Sequence, residues 1–287
     1  MTTPGAQLIR LLTPCANACD NLTLAGRAQD GGYLTCDDVL VRREPVRAGF
    51  SFGVKGRDSW GIAIASRLRI PVFEFDCFHT RAPVAPPGVQ LTFVPQCVGL
   101  RHEQRQHRTF NTVGAFVRKY APAMHSAKQS RVAVKMDIEG GEFDAFLSMD
   151  DATLRSIRHL NFELHGVSGA SGTVCRTVGG KRDCWKPTHG VHDTVRFLTA
   201  LDRFFVLVGV HGNNWWGASS VQGRTVPELM ELTYVNRDSL PASFAACEPV
   251  NLKELNRFMK PNHPGRREID TLAPCTPNAQ CSHASIT

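Results

Sequence analysis

Five short apolar runs rich in β-formers each stop at a glycine, an acid or a histidine, with helical or polar sequence between them. They are Val46–Phe52 before Gly53, Val72–Phe75 before Asp76, Val132–Met136 before Asp137, Leu160–Leu164 before His165, and Phe204–Val210 before His211. Near-continuous apolar strands that alternate with helices imply a mainly parallel sheet buried on both faces, a doubly wound α/β fold. Two late strands, Phe204–Val210 and Leu229–Val235, joined through 209–227, imply an antiparallel finish at one edge.

Helices are expected at Trp60–Leu68, capped by Asp58 or Ser59, and at Thr109–Tyr120, Glu142–Met149 and His192–Leu201. A third strand is expected at Val89–Val94, after the Pro-rich connector Pro83–Gly88, and a long loop at 166–189. Residues 1–30 show no sustained period and read as an irregular arm. The domain then spans 31–240, and 241–287 reads as an irregular tail containing Pro and Cys.

In an open α/β sheet, ligands bind beyond the carboxyl ends of the strands. The residues after each run are therefore the candidates. Gly53-Val54-Lys55-Gly56, with Asp58 following, is a loop in which glycines allow close backbone approach and a helix amino terminus presents free N–H groups. Asp76 lies 23 residues after Gly53, near the offset of about 20 at which a carboxylate meets a ribose diol in dinucleotide folds. Asp137-Ile138-Glu139-Gly140-Gly141-Glu142 places three acids and two glycines at one strand end, a pattern that packing does not explain. Such acids suit a metal through oxygen ligands, a bound cation, or a base. Glu142 also reads as a helix amino-terminal acid favoured by the dipole. His165 is placed to take a proton from an acceptor hydroxyl, and Glu163 either orients it or lines the site. In His211-Gly212-Asn213-Asn214-Trp215-Trp216, the amides and aromatic faces suit a hydroxyl-rich acceptor. His189 and His192 read as surface residues.

The chain has 287 residues, 42% of them hydrophobic, which is enough for a substantial core. Its formal charge is +7, but the basic residues are scattered and do not interleave with aromatics, so no nucleic-acid partner is expected. No apolar stretch approaches the roughly 20 residues of a membrane span, and the amino terminus makes a poor signal peptide. Ten cysteines contain no Cys-x-x-Cys pair, which argues against a zinc ribbon. Cys175–Cys184 and Cys275–Cys281 are candidate disulfide pairs, with ten free thiols as the alternative, and Asn21-Leu22-Thr23 is a glycosylation sequon. Cytoplasmic and lumenal or secreted placements stay open.

Several motifs taken together resemble the FkbM-like branch of S-adenosylmethionine-dependent methyltransferases. They are Asp30-Gly31-Gly32-Tyr33 with Cys36, Ser51-Phe52-Gly53-Val54 with Asp58-Ser59, Phe73-Glu74-Phe75-Asp76, Val98-Gly99-Leu100, Lys135-Met136-Asp137-Ile138-Glu139-Gly140-Gly141-Glu142, and Phe162-Glu163-Leu164-His165. The resemblance spans about residues 30–236, and Lys-x-Asp-x-Glu-Gly-x-Glu is its most specific part. It implies a seven-stranded Rossmann-like sheet with S-adenosylmethionine as donor. Gly53 would line the methionine portion, Asp76 the ribose and Gly99 the adenine side. Asp137 and Glu139 would border the point of methyl transfer. The glycine loop keeps only Gly53 and Gly56, Gly141 stands where relatives have Ala, and Phe143 where they often have Trp.

The expected function is O-methylation of a small-molecule or carbohydrate acceptor, with Asp137, Glu139 and His165 as the catalytic group and Gly53, Gly56, Asp58, Asp76 and Gly99 on the donor side; no metal is assigned. Two rival readings remain: a metal-dependent nucleotide-sugar glycosyltransferase that uses Asp137-Ile138-Glu139 as a clamp, and a non-catalytic binding protein on the same fold.

Overall fold

The computed structural model describes residues 2–41, 45–122, 131–168, 174–178, 181–185, 189–240, 244–248, 250, 252–255, 259–262, 265, 268–275 and 281–286. Its centre is a seven-stranded sheet. The strands are β1 (Ala48–Phe52), β2 (Val72–Phe75), β3 (Leu91–Val94), β4 (Val132–Met136), β5 (Ile157–His165), β6 (Phe205–Gly212) and β7 (Leu229–Asn236). Their order is 3-2-1-4-5-7-6. Strands β1 to β5 pair in parallel, and β7 runs antiparallel to both β5 and β6. The expected mainly parallel sheet with an antiparallel edge is therefore present. Its order follows the doubly wound 3-2-1-4-5 arrangement as far as the fifth strand.

Both faces are buried, and the alternation of side chains explains how. On β1, Phe50 and Phe52 enter one apolar cluster with Phe75, Phe116 and Val134. From the opposite face, Val72 and Ala133 join Trp60 and Ile64. Trp60 and Ile64 belong to α2 (Ser59–Leu68), which packs on β1 and β2 and starts where Asp58 accepts from Gly61 N at 2.7 Å. Further helices include α1 (Pro4–Leu11), α3 (Val113–Tyr120), α4 (Glu142–Leu147), α5 (Asp151–Ser156) and α6 (Val191–Asp202).

Several sequence expectations need correction. The arm at 1–30 is not irregular. Thr3 caps α1 at Ala6 N, Pro4 supplies the first-turn φ, and Leu8, Leu11 and Leu12 bury one face beside α6. Full burial of Leu8 and Leu12 favours docking by about 2 kcal/mol each. Residues Leu22–Ala25 and Tyr33–Cys36 pair as an antiparallel ladder. The stretch expected to be helical from Thr109 begins as the strand Arg108–Asn111, and Thr112 is the cap of α3. The loop at 166–189 contains a hairpin, Val174–Val178 with Lys181–Trp185. Its backbone register sets Cys175 opposite Cys184, but their side chains, and with them the expected disulfide, lie outside the described residues. The tail at 241–287 is not wholly irregular either: it holds a short helix, Leu252–Leu255, and a strand, Cys281–Ile286, that pairs in parallel with Ala218–Val221.

Among the described side chains, disulfides join Cys15 to Cys247, Cys19 to Cys36 and Cys77 to Cys97. Cys275 is also disulfide-bonded; the expected partner, Cys281, has a side chain outside the described residues. No helix among the described residues is long and apolar enough to cross a membrane.

Candidate functional site

The strand order reverses between β1 and β4, and a cavity of about 1330 Å³ opens beyond their carboxyl ends. Gly53 follows β1 and Asp137 follows β4. Gly53 has φ +78°, and a Cβ there would overlap the carbonyl oxygen of Asp137. Only glycine lets the two strand-end loops touch, so the cavity floor depends on it. Lys55 (φ +44°) and Gly56 (φ +72°) continue the turn in the left-handed region.

Of the residues singled out from the sequence, Gly53, Gly56, Asp58, Asp137, Glu139 and His165 line this cavity, while Asp76 and Gly99 do not. Asp58 is 5% exposed and uses its carboxylate as the cap of α2. Asp76 is also buried and accepts from three backbone amides: Lys55 N at 2.9 Å, and Phe78 N and His79 N at 2.8 Å. Its visible role is to hold the glycine loop and the turn after β2. Gly99 donates its N–H to Asn111 O at 2.9 Å in a small side sheet. Asp76 and Gly99 thus stand behind the cavity lining rather than in it.

The inner end of the cavity is built around His165, the last residue of β5. Its Nδ1 lies 3.3 Å from Glu142 Oε1. Its Nε2 lies 3.3 Å from Glu163 Oε2 and 3.5 Å from Glu139 Oε2. Burial alone lowers the pKa of the ring, but the carboxylates of Glu142, Glu139 and Glu163 outweigh it and hold the pKa well above the usual histidine range. This arrangement favours the protonated ring.

Glu139 sits in the left-handed region (φ +57°) and joins His165 to Lys55, whose Nζ forms an ion pair with Glu139 Oε1. The hydrogen bond from His165, reinforced by Lys55 against a burial penalty, keeps Glu139 ionised well below the usual carboxylate range. Glu163 is pushed the other way, up, by burial and then by the nearby charge of Asp137. Asp137 retains 18% side-chain exposure and lies 3.4 Å from Lys135 Nζ, which also donates to Gly53 O at 3.0 Å. Lys135 thus ties the ends of β1 and β4 together through one buried ammonium.

Sequence reasoning undervalued several lining residues. Asp30 reaches the cavity from the Asp-Gly-Gly turn, and its pKa is raised by burial and by Asp137. Lys135 was visible only as part of the acidic motif. Asn213, Trp215 and Trp216 line the cavity as their strand-end position suggested, with Trp216 edge-on to His165 at 5.6 Å between centroids. His211, in the same motif, turns away to Glu231 and Glu268, at 2.8 Å each. His189, expected at the surface, stacks on Phe143 with centroids 4.0 Å apart. Arg27, Arg57, Arg81 and His79 line the cavity with exposed side chains, opposite in charge to its carboxylate-rich end. The chain matches no protein-family profile, and no curated protein or solved structure is significantly similar to it.

Proposed function

We propose that the chain is an S-adenosylmethionine-dependent methyltransferase that acts on a hydroxyl of a small or sugar-like acceptor. The observation that carries this reading is the cavity at the switch point of the sheet, floored by the Gly53–Gly56 turn and lined at one end by Asp30, Asp137, Glu139 and Glu163. A donor bearing a sulfonium cation suits that carboxylate-lined end, and the left-handed glycine turn admits a ligand close to the backbone. The resemblance of the acidic motif to FkbM-like enzymes points the same way.

The donor supplies an activated methyl on a good leaving group, so the contribution of the protein is alignment and exclusion of water. Asp137, partly exposed and opposed only by Lys135 among the ion pairs described, is the group in position to accept the hydroxyl proton. Trp215, Trp216 and Asn213 offer the aromatic faces and amide that a hydroxylated ring requires. The three disulfides favour an oxidising compartment, lumenal or extracellular.

The test is transfer of isotope-labelled methyl from S-adenosylmethionine to a panel of hydroxylated acceptors, comparing wild type with Asp137→Asn. Label transfer that falls at least about 100-fold in the variant supports the reading. Equal transfer by both proteins removes Asp137 as the base. Turnover of a sugar nucleotide instead favours the glycosyltransferase reading.

A further inference from the structure

The crevice contains a ligand set of which the methyl-transfer reading above uses only Asp137. Asp137 at the end of β4, with Glu163 and His165 on β5, each offer one donor atom, and the three atoms lie within 4.8 Å of one another. Around an ion with bonds of about 2.1 Å, donors stand roughly 3 Å apart when adjacent and about 4.2 Å when opposite. Side-chain movements of under about 1 Å therefore close the set.

Two surroundings separate this group from an ordinary acidic patch. The first is the support behind the imidazole. His165 turns Nδ1 to Glu142 Oε1 at 3.3 Å, and its Nε2 faces Glu163 Oε2 at 3.3 Å and Glu139 Oε2 at 3.5 Å, so an ion bound at Nε2 takes the place of a proton there. A carboxylate behind a ligating imidazole fixes the tautomer and orientation of the ring. Glu142 is 1% exposed, and its second oxygen, Oε2, is buried without a hydrogen-bond partner. Glu163 is fixed as well: its Oε1 accepts from Asn213 Nδ2, which leaves Oε2 on the side of His165. The second is charge. Asp30, Asp137, Glu139, Glu142 and Glu163 converge here, against Lys55, Lys135 and one imidazole. Of these, Glu142 and Glu163 are buried, and a buried carboxylate is stable only when it is hydrogen-bonded, paired or bound to a cation.

We propose that Asp137, Glu163 and His165 bind a divalent cation of the manganese type. Two carboxylates and one imidazole suit such an ion better than calcium, which prefers oxygen alone, and the absence of thiolates disfavours softer metals. Three protein ligands leave open positions toward the cavity. The role of the ion rests on the methyltransferase reading: it coordinates the acceptor oxygen and lowers the pKa of that hydroxyl, so that the proton passes to Asp137 or to water. The binding site itself stands on the three side chains whatever the reaction.

The experiment is titration of the metal-free full chain with Mn²⁺ alone, followed by electron paramagnetic resonance, with pulsed detection of nitrogen coupling to the bound ion. One saturable ion per chain with coupling to one imidazole nitrogen is expected. Glu163→Gln should weaken binding at least about 10-fold, and Glu142→Gln about 10- to 100-fold through the orientation of His165. Asp144→Asn, an exposed acid on α4, should leave binding unchanged. Absence of a saturable site, a bound ion without nitrogen coupling, or full affinity in a folded Glu163→Gln overturns the proposal. The nitrogen coupling is read on wild type and does not depend on any variant folding. Titration of the same metal-free sample with S-adenosylmethionine keeps the two ideas apart. Mn²⁺ binding without donor binding upholds the ion site and removes the methyltransferase reading; donor binding without Mn²⁺ overturns the ion site alone.

Discussion

Glu74→Gln should stabilise the protein above neutral pH, by an amount that grows with pH. Glu74 lies on β2, 1% exposed, opposite Ser51 of β1 and near Asp58. Both its carboxylate oxygens, Asp58 Oδ2 and Ser51 Oγ are buried without hydrogen-bond partners. Burial, then repulsion by Asp58, raises the Glu74 pKa from 4.5 to about 8. In the unfolded chain the group ionises near 4.5, whereas in the fold it keeps its proton to about 8. The folded state binds more protons across that window, so this contribution to stability is complete below about 4.5 and is lost as pH rises through 8. At about 1.4 kcal/mol per pH unit, the loss approaches 5 kcal/mol if Glu74 carries the whole effect. Coupling to the neighbouring carboxylate reduces it, and about 2 kcal/mol is the expected minimum. Gln has nearly the same shape and no charge to bury. Urea unfolding of wild type and variant at pH 5, 6, 7 and 8 should show a stability difference that widens steadily in favour of Gln. A difference that stays flat over this range refutes the argument, because titrations common to both proteins cancel.

Asp76→Ala should cost about 3–5 kcal/mol in the same assay, because three amide bonds to one buried carboxylate are lost together; a cost under 1 kcal/mol would show that Asp76 is not a structural anchor. Replacing Cys19 and Cys36 by Ser should lower stability by about 3 kcal/mol, the entropy of releasing a 17-residue loop, read as a lower midpoint in urea. The pKa of His211 is raised to about 9: burial lowers it, but Glu231 and Glu268 outweigh that. Its ion pairs therefore stabilise fully below about 6.5 and fade as pH rises through 9. Hydrogen exchange at 268–273, which Glu268 pins to this cluster, should accelerate beyond its intrinsic pH dependence between pH 7 and 10, and Glu268→Gln should remove most of that excess.

The parts of the fold legible in the sequence were those with long period or uniform burial. β1, β4 and β5 read directly as apolar runs, and the acids and glycines after them marked the strand ends that line the cavity. α1 escaped because eight residues give barely two turns of periodicity, although Thr3-Pro4 was a usable start signal. The strand Arg108–Asn111 was absorbed into a helix because no turn residue separates it from α3; only the cap at Thr112 marks the boundary. At the site, spacing placed Gly53, Asp137 and His165 correctly but said nothing about direction. Asp76 and Asp58 have the residue type expected of ligand contacts, yet backbone amides claim their carboxylates first. The protonation of His165 depends on three carboxylates from separate positions, Glu139, Glu142 and Glu163, whose convergence needs the tertiary structure.

The central claim is that this crevice takes S-adenosylmethionine, and calorimetric titration of the purified chain tests it most directly, alongside Ala63→Phe, which fills the cavity from α2 without touching a charge. Saturable binding of one donor per chain, competed by S-adenosylhomocysteine and weakened at least about 10-fold in the folded variant, is the predicted result. No binding by wild type, with or without Mn²⁺, would contradict the account.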